Sequence, residues 1–151
     1  QNFDDDHWLL QPFLPGIPCS VGFIGGGQRG PTTILPAARQ DIVKNGATLS
    51  YRGGQIPCAT EITARITPIA EQLARALGSF DGYVGADVLV DLSVPAESEA
   101  SVRVVEVNPR LCTSYVGYRL LAVENLATWL LQQNSRHRIQ WKSETVQFST
   151  N

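Results

Sequence analysis

The sequence predicts an α+β fold, an antiparallel sheet flanked by helices, on three observations. Strand-type and helix-type segments are mixed without the regular alternation of a βαβ repeat. Tyr83–Leu92 and Val102–Val107 read as the two arms of a hairpin around the polar turn Pro95–Ala100. Two segments, one from Thr60 and one from Tyr118, carry apolar residues at helical spacing.

Taken in order, His7–Leu14 is a short apolar segment interrupted by Pro12 and closed by Pro15-Gly16, a strand running into a turn. Cys19–Ile24 is a second strand, ended by Gly25-Gly26-Gly27, with a loop over Gln28–Pro31. Ile34–Val43 fits either period. Ala47–Tyr51 is a short strand, and Gly53-Gly54 reads as a turn. From Thr60, a stripe of Ile62, Ile66, Ile69, Ala70, Leu73 and Leu77 predicts an amphipathic helix. Gly78 stops it, and Pro68 either opens the helix after Thr67 or sits in the first turns of one that starts earlier.

In Tyr83–Leu92, Val84, Ala86, Val88, Val90 and Leu92 form one apolar face, and Tyr83, Gly85, Asp87, Leu89 and Asp91 the other. Val102–Val107 is stopped by Pro109. Tyr118–Gln133 reads as a second helix, and a last strand falls near Val146–Phe148.

Composition narrows the function classes. A hydrophobic content of 43% with 17% charged residues is globular. A formal charge of −2 makes a nucleic-acid backbone a poor partner. No apolar run approaches the ~20 residues a bilayer requires. Cys19, Cys58 and Cys112 are odd in number and widely spaced, neither a disulfide framework nor a zinc site, which favours a reducing cytoplasm. There is no Met, even at position 1, so the chain reads as a piece of a longer protein.

The chemistry concentrates in Glu106-Val107-Asn108-Pro109-Arg110. Residues two apart on a strand share a face, so Glu106, Asn108 and Arg110 point together while Val105 and Val107 pack the other side. A carboxylate and an amide oxygen are hard donors suited to magnesium. A guanidinium beside them suits phosphate oxygens. A symmetric hairpin centred between Ala96 and Glu97 puts Asp87 opposite Glu106, and Asp91 opposite Val102. Carboxylates on directly opposed strand positions, about 5 Å apart at Cβ, repel unless a proton or a cation lies between them.

These residues carry a resemblance. Gly85-Ala86-Asp87-Val88 followed by Glu106 to Gly117, EVNPRLCTSYVG, resembles the metal-binding end of the ATP-grasp superfamily. The branch it looks like contains tyramine–glutamate ligases and related proteins; there Thr usually stands where this chain has Cys112. The resemblance implies Asp87, Glu106 and Asn108 as ligands of Mg²⁺, with Mn²⁺ as a substitute, and Arg110 as the catalytic cation at the transferring phosphoryl group. Leu10-Gln11-Pro12-Phe13-Leu14-Pro15-Gly16 resembles the hinge lining the adenine pocket of ATP. Backbone groups near Phe13 and Leu14 would meet the adenine edge, and Gln11, standing where the family usually has Glu, its exocyclic amine.

The implied protein is an ATP- and Mg-dependent carboxylate–amine ligase working through an acyl phosphate, with small-molecule acid and amine substrates. Residues 1–151 would form its C-terminal lobe, the upstream lobe being absent; a homodimer stays open. Two alternatives are a nucleotide-binding module without turnover and an ATP-grasp kinase or carboxylase relative.

Other motifs carry less. Gly25 to Gly30 lacks the Lys-Ser/Thr ending of a phosphate-binding P-loop. Ser114 and Tyr115 are placed either to touch substrate or, equally, to cap and pack the next helix. Trp8, Trp129 and Trp141 read as core or interface residues, Asp91 as a solvated strand end, and Asp4-Asp5-Asp6 as a solvated turn. His7 and His137 lack metal-ligand spacing.

Overall fold

The computed structural model describes residues 10–132 and 138–149. The Asp4–Asp6 run, His7, Trp8 and His137 lie outside them. One sheet of seven strands holds the chain together, and every pairing in it is antiparallel. Its strands are β1 (Ile17–Gly26), β2 (Thr33–Ile34), β3 (Ala38–Asn45), β4 (Thr48–Ile56), β5 (Asp81–Val90), β6 (Val102–Asn108) and β7 (Val146–Ser149). Across the sheet the order is β6-β5-β1-β3-β4-β7, with β2 pairing β1. The predicted α+β class is the observed one.

Alternation along β1 and β5 assigns each face a different cover. Cys19, Val21 and Phe23 on β1, with Val84, Ala86 and Val88 on β5, face α1 (Thr60–Leu77). That helix buries Ile62, Ile66 and Ala70 against them, with Ile69, Leu73 and Leu77 partly buried alongside. Gly78 ends it at φ 65°, a conformation glycine adopts without penalty. Pro68 lies well inside the helix on its exposed side, so the carbonyl deprived of an N–H partner faces water.

The opposite face carries Ile24 and Tyr83, covered by α2 (Ser114–Leu121) and α3 (Leu126–Gln132). Tyr118 is fully buried there, and the Gly22 N–H donates to its Oη at 3.1 Å. A Cβ at Gly22 would lie 2.6 Å from Tyr83 Oη, so glycine is what lets this tyrosine pair sit down on the strand. Trp129 and Trp141 pack into the same cluster.

Several local expectations are corrected. Residues 10–15 form no strand; Pro12 and Pro15 withhold the N–H groups a ladder needs. The ambiguous Ile34–Val43 stretch contributes the second residue of β2 and most of β3, and Gly25 and Gly26 extend β1 rather than ending it. Gly53-Gly54 is no turn but the middle of β4. It takes glycine because a Cβ at Gly54 would meet the Arg39 carbonyl and, at 3.0 Å, the Phe148 ring. The single helix expected over Tyr118–Gln133 is two. It starts earlier, at Ser114, and breaks where Ala122 turns extended and bridges Trp141 while the Val123 N–H donates to the Gln140 carbonyl. Asn125 Oδ1 then accepts from the Ala127 N–H and starts α3. Val105 and Val107 are not packed away: they are 46% and 41% exposed on β6, an edge strand.

Candidate nucleotide and metal site

The hairpin delivers its acidic residues as the sequence suggested, up to a point. Gly85 faces Asn108, Ala86 faces Val107, and Asp87 faces Glu106. A bulge between Asp87 and Val88 then shifts the pairing by one residue, so Val90, not Asp91, faces Val102. Arg65 of α1 anchors the far end of the hairpin by donating to the carbonyls of Asp91 and Val94, at 3.0 and 2.8 Å.

Asp87 and Glu106 share one face, and their carboxyl groups are in hydrogen-bonding contact. Burial, then the Glu106 carboxyl beside it, push the Asp87 carboxyl up to about 6, against the opposing pull of Gln40 and Arg110. Gln40 Nε2 reaches across β1 to donate to Asp87 Oδ1 at 2.7 Å. Glu106 is held below its ordinary value, first by the Asn108 amide, whose Nδ2 donates to Glu106 Oε1 at 2.7 Å. Without a cation, the pair eases its repulsion by holding the Asp87 proton to a higher pH than an isolated aspartate does.

The residues present fit a divalent ion in their chemistry. Two facing carboxylates and an amide oxygen form a hard donor set, and magnesium fills its remaining positions with water or phosphate oxygens. Among the described residues, no group of three or more His, Cys, Asp and Glu side chains could hold a metal. Protein ligation here would therefore rest on the Asp87–Glu106 pair plus the Asn108 amide.

Two cavities meet at Asp87. One, about 530 Å³, is walled on one side by Gln11, Phe13 and Leu14 and on the other by Asp87, Val105 and Glu106. The hinge-like segment and the carboxylates thus address one space. Phe13 is 75% exposed and sits under Lys44 Nζ at 5.3 Å. Among the described residues, Lys44 is the one cation lining this cavity.

The second cavity, about 240 Å³, is lined by Ser20, Tyr51, Cys112 and Ser114, with Asn108 and Arg110 also bordering it. Gln40, Ile42 and Asp87 line both. Burial, ahead of the nearby Asp87, pushes the Tyr51 hydroxyl up to about 12 and raises the Cys112 thiol, so both are protonated donors at neutral pH. Arg110 is exposed, and its Nη1 donates only a long 3.4 Å contact to the Leu111 carbonyl. Ser114 is buried in the first turn of α2 and supplies no cap; Thr113 holds the cap position, also without a side-chain bond. Tyr115 packs edge-on against Tyr83, ring centroids 6.2 Å apart.

Ser20, Gln40 and Tyr51 escaped the sequence reading. Ser20 had a signal, a lone hydroxyl in the otherwise apolar Ile17–Ile24 run. Gln40 had none without the strand order. The glycine-rich Gly25–Gly30 segment is remote: it adjoins Asp81, at the opposite end of the β1–β5 pairing from Asp87, about 20 Å away at the rise of a strand.

The facing carboxylate pair thus stands beside two clefts on one face of an antiparallel sheet. Residues 1–114 match the ATP-grasp domain, and the chain belongs to that family. Within it, the chain is similar to tyramine–glutamate ligases. It is 27% identical over 148 residues to the tyramine–L-glutamate ligase of Methanocaldococcus jannaschii, covering 98% of this chain and 43% of that protein. Among solved structures, an ADP complex of N5-carboxyaminoimidazole ribonucleotide synthetase superposes with a TM-score of 0.64 at 16% identity, over 84% of this chain and 31% of its own. The L-amino acid ligase of Bacillus licheniformis superposes with a TM-score of 0.60 at 17% identity, over 87% of this chain and 30% of its own. These two likenesses concern the fold. The chain spans less than half the length of the curated relatives it matches. No helix among the described residues is long and apolar enough to cross a membrane.

Proposed function

We propose that this chain is the adenine- and metal-binding lobe of an ATP-dependent carboxylate–amine ligase. The observation that carries the reading is the Asp87–Glu106 pair, set where the hinge-lined cavity meets the polar one. The sequence likeness to tyramine–L-glutamate ligase suggests an amino-acid carboxylate and a primary amine as substrates. Further phosphate-gripping groups would come from an upstream lobe.

In this reading Phe13 and Leu14 offer backbone groups to the adenine edge, with Gln11 beside them. Asp87, Glu106 and Asn108 hold Mg²⁺, which when bound neutralises phosphate charge. Arg110 places its guanidinium where negative charge gathers during transfer. A carboxylate oxygen of the acid attacks the γ-phosphorus, and the bond from phosphorus to the ADP oxygen breaks, giving an acyl phosphate. The amine nitrogen then attacks the acyl carbon; the bond to phosphate breaks, and the nitrogen gives up a proton.

The test is ADP release by the full-length protein with Mg-ATP, amino-acid carboxylates and amines. Turnover should require the acid. Glu106→Gln should lower it more than the ~100-fold typical of losses around a metal's ligands, with the fold unchanged by circular dichroism. A variant that turns over at the wild-type rate would refute the assignment.

A further inference from the structure

The smaller cavity contains a polar atom with nothing to bond. Ser20 is 3% exposed at the centre of β1, and its Oγ has no hydrogen-bond partner. A buried hydroxyl left this way is destabilising. Such groups in folded proteins usually mark a place where a ligand or ordered water completes the bonding.

Its surroundings select what could do so. Ser20 pairs directly with Asp87 on β5, and Gln40 already occupies Asp87 Oδ1. The Asp87 side of the cavity is therefore accounted for. Around the remaining wall stand the Tyr51 hydroxyl, the Cys112 thiol and the Ser114 hydroxyl, all neutral. Among the described residues, Arg110 is the one cation lining the cavity. None of the hinge residues borders it, so it is not the adenine space. The two cavities touch only at Gln40, Ile42 and Asp87, beside the metal carboxylates. A molecule here would thus meet the nucleotide at its phosphate end. About 240 Å³ suits something of amino-acid size.

We infer that this cavity seats the acid substrate, a small carboxylic acid carrying a second oxygen acceptor, such as an amino dicarboxylic acid. Its reacting carboxylate lies toward Arg110 and the metal pair, and the Ser20 hydroxyl donates to the second acceptor. The inference rests on the ligase reading and adds to it a substrate-binding residue and a substrate class. Ser20 then discriminates between acids, because a monocarboxylate of the same length leaves its hydroxyl unpaired.

The experiment is steady-state ADP release by the full-length protein at saturating Mg-ATP and amine. Glutamate and aspartate are compared with butyrate and propionate, for wild type and Ser20→Ala. Wild type should prefer the dicarboxylic acids. Ser20→Ala should raise their KM roughly 3- to 10-fold, the loss of one hydrogen bond, with the KM for ATP unchanged and the monocarboxylate kinetics untouched. Its melting temperature should not fall, since no protein contact is lost; Ser20→Thr, which keeps the hydroxyl, should recover part of the preference. An unchanged acid KM, or a lower melting temperature with all KM values moved together, overturns the inference while the ligase reading stands. Wild-type protein that releases no ADP with any acid overturns both.

Discussion

Val84, Ala86 and Val88 face α1, while Tyr83, Gly85 and Asp87, interleaved with them on the same strand, face α2 and the open cleft. The first face is closed along its length by an 18-residue helix. The second is covered only toward Tyr83, where Tyr118 and Leu121 pack. Beyond Gly85 the helices stop and the polar side chains begin. One strand therefore serves two purposes through period-two alternation. Its apolar set stabilises the sheet, and that lets its other set tolerate a carboxylate pair that is costly without a cation.

The contrast predicts different responses to damage on each face. The largest stability loss belongs to the closed face. Ile66→Ala, at 2% exposure under the sheet, should cost about 2–5 kcal/mol in chemical denaturation, while nucleotide affinity of the folded fraction stays as in wild type. On the second face, Tyr118→Phe removes the partner of the Gly22 N–H. A loss of about 1–3 kcal/mol is expected, with only a modest change in turnover, since Tyr118 borders neither cavity.

The smallest effect is one of pH. Asp87 is raised from its ordinary 3.8 to about 6, so folding favours its neutral form. Its contribution to stability is full below 3.8 and is lost as pH rises through 6. Asp87→Asn should therefore leave the metal-free protein little changed near pH 4 and more stable than wild type near pH 8. Thermal melts at the two pH values check this; a variant less stable than wild type at pH 8 would contradict the repulsion at the pair.

What could be read from sequence divides along the same line. The α1 stripe and the alternation of β5 are local patterns, and the structure keeps both. The symmetric hairpin is off by one beside the turn, where Val88 faces Val104 and Val90 faces Val102, and Asp87 meets Glu106 because the bulge takes up one extra residue of β6. Neither the centre of the turn nor the bulge leaves a mark in the residue types, so the pairing of Asp91 was misjudged while that of Asp87 came out right. The break after Leu121 is set by Trp141, twenty residues on, whose bridge to Ala122 outweighs helix propensity. Gly53-Gly54 looked like a turn because the pressure of Phe148 from β7 is non-local. Gln40 and Ser20 flank Asp87 only because β1 lies between β5 and β3, an order the chain does not announce.

The central claim is that Asp87 and Glu106, from two strands, hold one divalent ion. Mn²⁺ titration of the full-length protein with a non-hydrolysable ATP analogue, for wild type, Asp87→Asn, Glu106→Gln and the double variant, tests it most directly. The account predicts that each single change weakens binding by about 100-fold or more and that the double is scarcely worse than either, as for a shared site. Wild-type affinity in either single variant, or losses that add as for independent sites, would contradict it.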